Sequence, residues 1–281
     1  MEKIRILTDS ASDILPPYPD NLTVLPMTIR FGAEEYRDGV DLSHRAFYEK
    51  LTESDTLPVT SLISPGDFEN AYRQAAERGE TVVVITLSSR LSGTWQSAVL
   101  AAQDHPGRVF VVDSRNATLG ERLLVEYALR LAGEGVPAGE IAGQLERVRD
   151  RVRVLGLLDT LEYLKKGGRI SKTVAFFGEA MAIKPVVTVR DGEVVMLGKA
   201  RGSRNGSNFL IQEIEKAGVA YDMPFALGYT GTSDDMLQKY IRDSASLWEG
   251  KVSTLPIHTV GATVGTHIGP GAIAVAFFSK E

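Results

Sequence analysis

Short apolar runs alternate with amphipathic stretches through the first half of the chain. Residues 3–7 form one such run and end in Thr8-Asp9-Ser10. Residues 81–85 (Thr-Val-Val-Val-Ile) read as a buried parallel strand, and residues 109–112 repeat the pattern before Asp113-Ser114. Residues 22–31 are extended, with Pro26 placing them at a sheet edge. Between these runs the spacing turns helical. Ser43 caps a helix over 43–51, and Ser64 with Pro65 opens another that runs to 78. Trp95, Ala98, Val99 and Ala102 mark a third helix, and 116–132 a long fourth. Such alternation predicts a doubly wound, largely parallel sheet. Ligands in those folds lie beyond the carboxyl ends of the strands, where 8–10, 86–89 and 113–114 converge.

The pattern changes in the second half. Pro137 starts a helix ending near 151, and 152–158 returns to strand. A helix over 159–165 closes at Gly167-Gly168, and 171–180 reads as another. Residues 183–189 and 194–200 flank Arg190-Asp191-Gly192-Glu193, and Asp-Gly between extended runs signals a hairpin. Ser203 caps a helix to 217. Strand 225–229, helix 234–247, strand 251–257 and strand 272–278 follow. A hairpin amid helix and strand predicts a second α/β domain with a mixed sheet. The expected domains are therefore 1–152 and 153–281.

At 281 residues the chain suits two cores. It holds no cysteine, which excludes thiol nucleophiles, disulfides and thiolate metal sites. No apolar run approaches the ~20 residues needed to cross a bilayer. Residues 1–5 enter a strand without a signal-peptide core, so a cytoplasmic location is expected. A net charge of −5 argues against nucleic acid as a partner. Of the basic patches, Arg147, Arg149, Arg151 and Arg153 read as a solvated helix face. Lys165-Lys166 with Arg169, and Lys199 with Arg201 and Arg204, lie beside glycines and turns and are better site candidates.

Several enzyme signatures are missing. No Gly-x-Gly-x-x-Gly follows the first strand, and no Gly-x-Ser-x-Gly elbow occurs. Residues 192–199 imitate a phosphate loop, but five residues separate the glycines and Ala200 replaces the hydroxyl. His44, His105, His258 and His267 lack metal-ligand spacing, so no metal is expected, and His44 and His105 read as surface residues.

What remains is a set of polar groups near predicted turns. The turn Thr86-Leu87-Ser88-Ser89-Arg90-Leu91-Ser92-Gly93-Thr94 joins strand to helix, with Ser92 as the expected cap. Unpaired N–H groups and the helix dipole favour an anion there, of carboxylate or phosphate size. Taken alone, Ser92 is more often an ordinary cap. Thr60-Ser61 lies between helices, His267 in a turn-rich approach to the last strand, Arg169 after a helix end, and Lys199 and Arg201 at a strand end. Each has a plain alternative: turn hydrogen bonds, satisfied helix carbonyls, a bonded loop histidine.

The ordered set resembles the DegV family of bacterial fatty-acid-binding proteins over nearly the whole chain. The resemblance is carried by Leu7-Thr8-Asp9-Ser10-Ala11-Ser12-Asp13, Thr60-Ser61 before Ser64-Pro65, Leu91-Ser92-Gly93-Thr94, and Val112-Asp113-Ser114. Further matches are residues 161–170 (Leu-Glu-Tyr-Leu-Lys-Lys-Gly-Gly-Arg-Ile), Lys184-Pro185, Lys199-Ala200-Arg201-Gly202 and His267-Ile268-Gly269-Pro270-Gly271. One departure is Leu62-Ile63, where members often carry Gln-Pro. The resemblance implies a lipid carrier, not an enzyme, whose two domains enclose one long-chain fatty acid and need no cofactor. By this likeness Thr60, Ser61, Ser92, Gly93, Thr94 and His267 surround the carboxylate. A tunnel would be lined by Leu157, Leu158, Leu161, Phe176, Phe177, Met181 and Ile183. Some relatives present the acid to a separate ATP-dependent fatty acid kinase for phospholipid synthesis. There Arg169 would serve phosphoryl transfer, with Arg201 on the same face, and transient contact with a membrane surface is compatible with that role. The competing reading is a stand-alone phosphotransferase using Arg169, Lys199 and Arg201.

Overall fold

A computed structural model describes residues 2–170 and 183–280. Strands β1 (Ile4–Asp9), β2 (Leu22–Leu25), β6 (Thr81–Thr86) and β7 (Val109–Asp113) form a four-stranded parallel sheet in the order β2-β1-β6-β7. Successive residues on a strand face opposite ways, and both faces of β6 are apolar. Val82 and Val84 pack with Phe68 and Tyr72 of α2 (Pro65–Glu77) and Ala98 of α3 (Thr94–Ala102). Val83 and Ile85 pack with Leu123 and Leu124 of α4 (Leu119–Gly133) and Ile141 and Leu145 of α5 (Ala138–Val148). The sheet is doubly wound, as expected.

A second sheet has six strands in the order β10-β9-β8-β13-β11-β12, antiparallel except for the last pair. Its members are β8 (Val152–Leu157), β9 (Ile183–Arg190), β10 (Glu193–Arg201), β11 (Phe225–Tyr229), β12 (Ile257–Thr259) and β13 (Ile273–Phe278). Helix α4 lies between the two sheets, because its core also takes in Val154, Ala226, Ala274 and Ala276. The β9–β10 turn has Asp191 at φ 52° and Gly192 at φ 81°, the paired positive values of a tight hairpin. The tip docks on the first sheet's loops: Ser88 Oγ donates to the Gly192 carbonyl at 2.7 Å.

Two strands were not foreseen. β4 (Glu34–Arg37) and β5 (Val59–Ser61) flank β3 (Thr28–Phe31) in a small antiparallel sheet. Residues 22–31 therefore do not form one segment; β2 and β3 part at Pro26-Met27 and join different sheets. Helix α1 (His44–Glu53) packs Phe47 and Tyr48 onto Ile29 and Phe31 of the small sheet. The expected helix over 234–247 is two, α8 (Asp235–Asp243) and α9 (Ala245–Trp248), parted at Ser244. Of the expected strand 251–257, only residue 257 enters β12. Ser203 does not cap α7 (Gly202–Ala217); it lies in the first turn and Arg201 holds the cap position. Helix α6 (Glu162–Lys166) ends at Gly167 as foreseen, and the helix expected over 171–180 lies outside the described residues. Among the described residues no helix is long and apolar enough to cross a membrane.

The largest surprise is helix α10 (Ala262–Ile268). Its sequence, Ala-Thr-Val-Gly-Thr-His-Ile, is built of small and β-branched residues and offers no apolar stripe of helical period. It packs between the small sheet and α6, so tertiary contact, not propensity, makes the helix.

Candidate functional site

Helix α10 carries His267 on its last turn, facing β5. His267 Nε2 lies 3.0 Å from Thr60 Oγ1. β5 is held there by pairing with β3, which sets Ile29 opposite Thr60. The imidazole is half-buried, and its loss of solvent together with the nearby Arg169 charge lowers its pKa to about 4, so it is neutral at pH 7. Its Nδ1 is buried and has no hydrogen-bond partner among the described residues. The ring also rests close against Gly167: a Cβ there would stand 2.3 Å from Nδ1.

Thr60 and His267 open into a cavity of about 380 Å³ whose other walls include Ser61, Ser92, Gly93 and Arg169. The turn after β6 supplies Ser92 and Gly93. Gly93, not Ser92, is the N-cap of α3, and no side chain caps that helix. The Ser92 hydroxyl accepts from Thr94 N at 3.3 Å and lies 3.0 Å from Thr94 Oγ1. Thr94 is fully buried and does not line the cavity, a correction to the expected set. Arg169 donates to the carbonyls of Gly167 at 2.6 Å and Leu91 at 3.3 Å, which fixes a cation on the wall with no carboxylate partner among the described residues. Leu62, at the departure from the family pattern, stands 49% exposed on the rim, and its Cδ2 comes within 2.9 Å of a Cβ built at Gly93.

Inward, the lining becomes apolar. A smaller cavity of about 70 Å³ shares Ala117, Val194, Val264 and Ile268 with the first. Its walls include Val154, Leu158, Val187 and Ile273, so it runs between α4, α10 and the second sheet. Of the expected tunnel residues that are described, only Leu158 is placed there. Leu157 faces the opposite core, against Gly206 of α7. Leu161 packs beside Leu158 and Leu164, and Ile183 lines neither cavity. Phe176, Phe177 and Met181 lie outside the described residues.

Arg201 is not at this site. Ile170 pairs with Val194, which fixes the Arg169 segment near the start of β10. From Val194 to Arg201 that strand advances roughly 20 Å at about 3.3 Å per residue. Arg201 and Arg169 thus do not share a face.

A set of buried and half-buried carboxylates holds the frame. Asp9 accepts from Leu87 N and Ala11 N, both at 2.9 Å, and Asp113 accepts from Ser89 N and its hydroxyl. These acids shape the turn before Ser92. Asp13 accepts from Gly261 N at 2.8 Å and Thr118 Oγ1 at 2.5 Å. Asp38 accepts from Ala262 N at 3.2 Å, Thr263 N at 3.0 Å and Thr263 Oγ1 at 2.6 Å. The last two acids grip the N-terminus of α10 by accepting from its first amides. Burial raises Asp9 to about 7 and Asp13 to about 8, and it pushes Glu121 well above the carboxylate range. Asp38 and Glu121 were not singled out in the sequence; Glu121, an acid within the apolar run of α4, was the readable signal. His44 is buried, with Nδ1 2.8 Å from Thr259 Oγ1, and His105 is 2.9 Å from Glu69, so neither is a free surface residue. Nor are Arg149, Arg151 and Arg153 a solvated face, since each donates to backbone carbonyls.

Comparison with known proteins settles the family. The profile described as "Uncharacterised protein, DegV family" matches residues 3–280. This chain belongs to the DegV family. A DegV domain-containing protein of Deinococcus radiodurans is 36% identical over 97% of both chains. Another, from Caldanaerobacter subterraneus, is 34% identical over the full length of both. Among solved structures, a DegV protein of Thermus thermophilus described as binding fatty acid superposes with TM-score 0.87 at 32% identity, covering 99% of this chain and all of that one. A stearic-acid-binding protein of Eubacterium ventriosum gives TM-score 0.86 at 26% identity, covering all of this chain and 99% of its own.

Proposed function

We propose that this DegV protein binds one long-chain fatty acid, with its carboxylate at Thr60, Ser92 and the Gly93 end of α3, and its acyl chain along the apolar cavity inside. The observation that carries the reading is the Thr60–His267 contact at 3.0 Å on the rim of a cavity whose inner walls are apolar. A neutral His267 that donates from Nε2 leaves the Thr60 hydroxyl proton free for the carboxylate. Ser92, which accepts from Thr94 N, has its own proton to give. Hydrogen bonds to a carboxylate are among the strong ones, and Arg169 adds charge close by. Relatives described as binding fatty acid or stearic acid support the ligand class.

The tail supplies the affinity. At about 0.8 kcal/mol per buried methylene, a palmitate-length chain gains roughly 11 kcal/mol gross. Association costs about 4–15 kcal/mol, so useful affinity needs nearly complete enclosure. Residues 1–152 and 153–281 act as the two units that enclose the chain. The protein is a carrier that hands its ligand to a separate ATP-dependent fatty acid kinase, and Arg169, on the wall beside the carboxylate, stabilises the charge that develops as the acyl phosphate forms.

Extraction of the purified protein into organic solvent and mass spectrometry tests the binding. One fatty acid per chain is expected; empty protein that ignores added oleate contradicts it. The carrier role is tested by supplying such a kinase and ATP. Wild type yields acyl phosphate, whereas Arg169→Ala keeps the fatty acid and yields none. Equal yield from both removes Arg169 from the transfer.

A further inference from the structure

We infer that a second cavity, between the Arg149–Arg153 segment and the β9–β10 tip, is a binding site for an organic phosphate. It measures about 480 Å³, more than the cavity at Thr60, and falls in the range of small-molecule sites. Strand β9 divides it from the apolar cavity, with Thr188 and Val189 lining both.

Charge at this place runs against the rest of the protein. The chain carries −5 overall, yet Arg115, Arg149, Arg153, Arg190 and Lys216 line the cavity against three acids, Asp150, Asp191 and Glu213. Two of the arginines are anchored by carbonyls instead of carboxylates. Arg149 Nη1 donates to the Asp113 carbonyl and Arg153 Nη1 to the Asp150 carbonyl, each at 2.7 Å. A carbonyl fixes a guanidinium without neutralising it, so both keep their charge for a ligand. Arg149 Nε is buried with no acceptor among the described residues, an unmet donor on the wall. The Arg190 side chain has no hydrogen bond or ion pair among the described residues. The acids that do pair are loosely held, Arg115 to Asp150 at 3.4 Å and Lys216 to Glu213 at 3.9 Å.

This arrangement selects the ligand class. Guanidinium forks from several directions suit a tetrahedral oxyanion, and a phosphate monoester brings about −1.5 to −2 charges, matching the excess. A carboxylate would bring half as much. The volume exceeds that of inorganic phosphate, and Leu155, Leu197 and Phe277 provide an apolar wall for an organic body.

Calorimetric titration of the full chain with three probes tests the assignment: inorganic pyrophosphate, glycerol 3-phosphate and ADP. Saturable binding of one or both organic phosphates is expected, weakened at least tenfold by Arg190→Glu and by Arg149→Gln. Arg190 is exposed and lies outside the Thr60 cavity, so Arg190→Glu still takes up oleate and reports on this cavity alone. Preference for ADP identifies a nucleotide, and preference for glycerol 3-phosphate a lipid-headgroup-like ligand. Failure of both organic probes to saturate, or an affinity unchanged by Arg190→Glu, overturns the proposal.

Discussion

The two ends of α10 are built to opposite rules. At its N-terminus the amides of residues 261, 262 and 263 are each taken by a buried carboxylate oxygen of Asp13 or Asp38. At its C-terminus His267 Nε2 meets Thr60 Oγ1 at 3.0 Å on the wall of a cavity. Buried polar groups are normally satisfied, because leaving one unpaired costs about 1–3 kcal/mol. The acid-gripped end therefore holds the helix in place, and the cavity end leaves the Thr60 hydroxyl its proton to give to a ligand. Seven residues connect holding to binding.

The comparison can be broken most severely at the holding end. Asp38→Ala leaves two amides and the Thr263 hydroxyl without their acceptor, and we expect a loss of about 3–5 kcal/mol in chemical denaturation. A loss under 1 kcal/mol would mean α10 is held by other contacts. At the binding end, Gly167→Ala drives a Cβ into the His267 ring without altering any hydrogen-bonding group. Oleate affinity should fall at least ~30-fold, about 2 kcal/mol, with a smaller change in stability. Affinity like wild type would show that the ring's position is irrelevant. Ser92→Ala and Thr60→Val each remove one hydroxyl and should weaken oleate by about 1–3 kcal/mol in titration while leaving stability within about 1 kcal/mol.

The last comparison is one of pH slope. His267, lowered to about 4, contributes stability that is present above its unfolded value near 6.5 and is lost as pH falls toward 4. Asp13, raised from 3.8 to about 8, does the reverse: its contribution is present below about 4 and is lost as pH rises through 8. Asp13→Asn should flatten the decline in stability between pH 4 and pH 8, measured by denaturation across that window. An unchanged slope would place the titration elsewhere.

What could be read from the sequence follows from how each element is stabilised. β1, β6, β7 and the helices after them show in the apolar spacing, because each buries a regular face. The hairpin showed in Asp191-Gly192, where the turn demands positive φ. Helix α10 and strand β5 did not show: one has no apolar stripe and the other is three residues long, and both exist through tertiary pairing. Thr60, Ser92 and His267 were named from sequence through their resemblance to a family pattern, but their meeting depends on these two hidden elements. Arg201 misled because a Lys-Ala-Arg-Gly run near a strand end carries no information on which end of a long hairpin faces the cavity.

The central claim is that the Thr60 and Ser92 hydroxyls receive a fatty-acid carboxylate beside a neutral His267. Nuclear magnetic resonance of oleate carrying carbon-13 in its carboxyl group tests it most directly. The account predicts one bound carboxyl signal that moves in both Thr60→Val and Ser92→Ala. A bound signal identical in wild type and both variants would place the carboxylate elsewhere and contradict it.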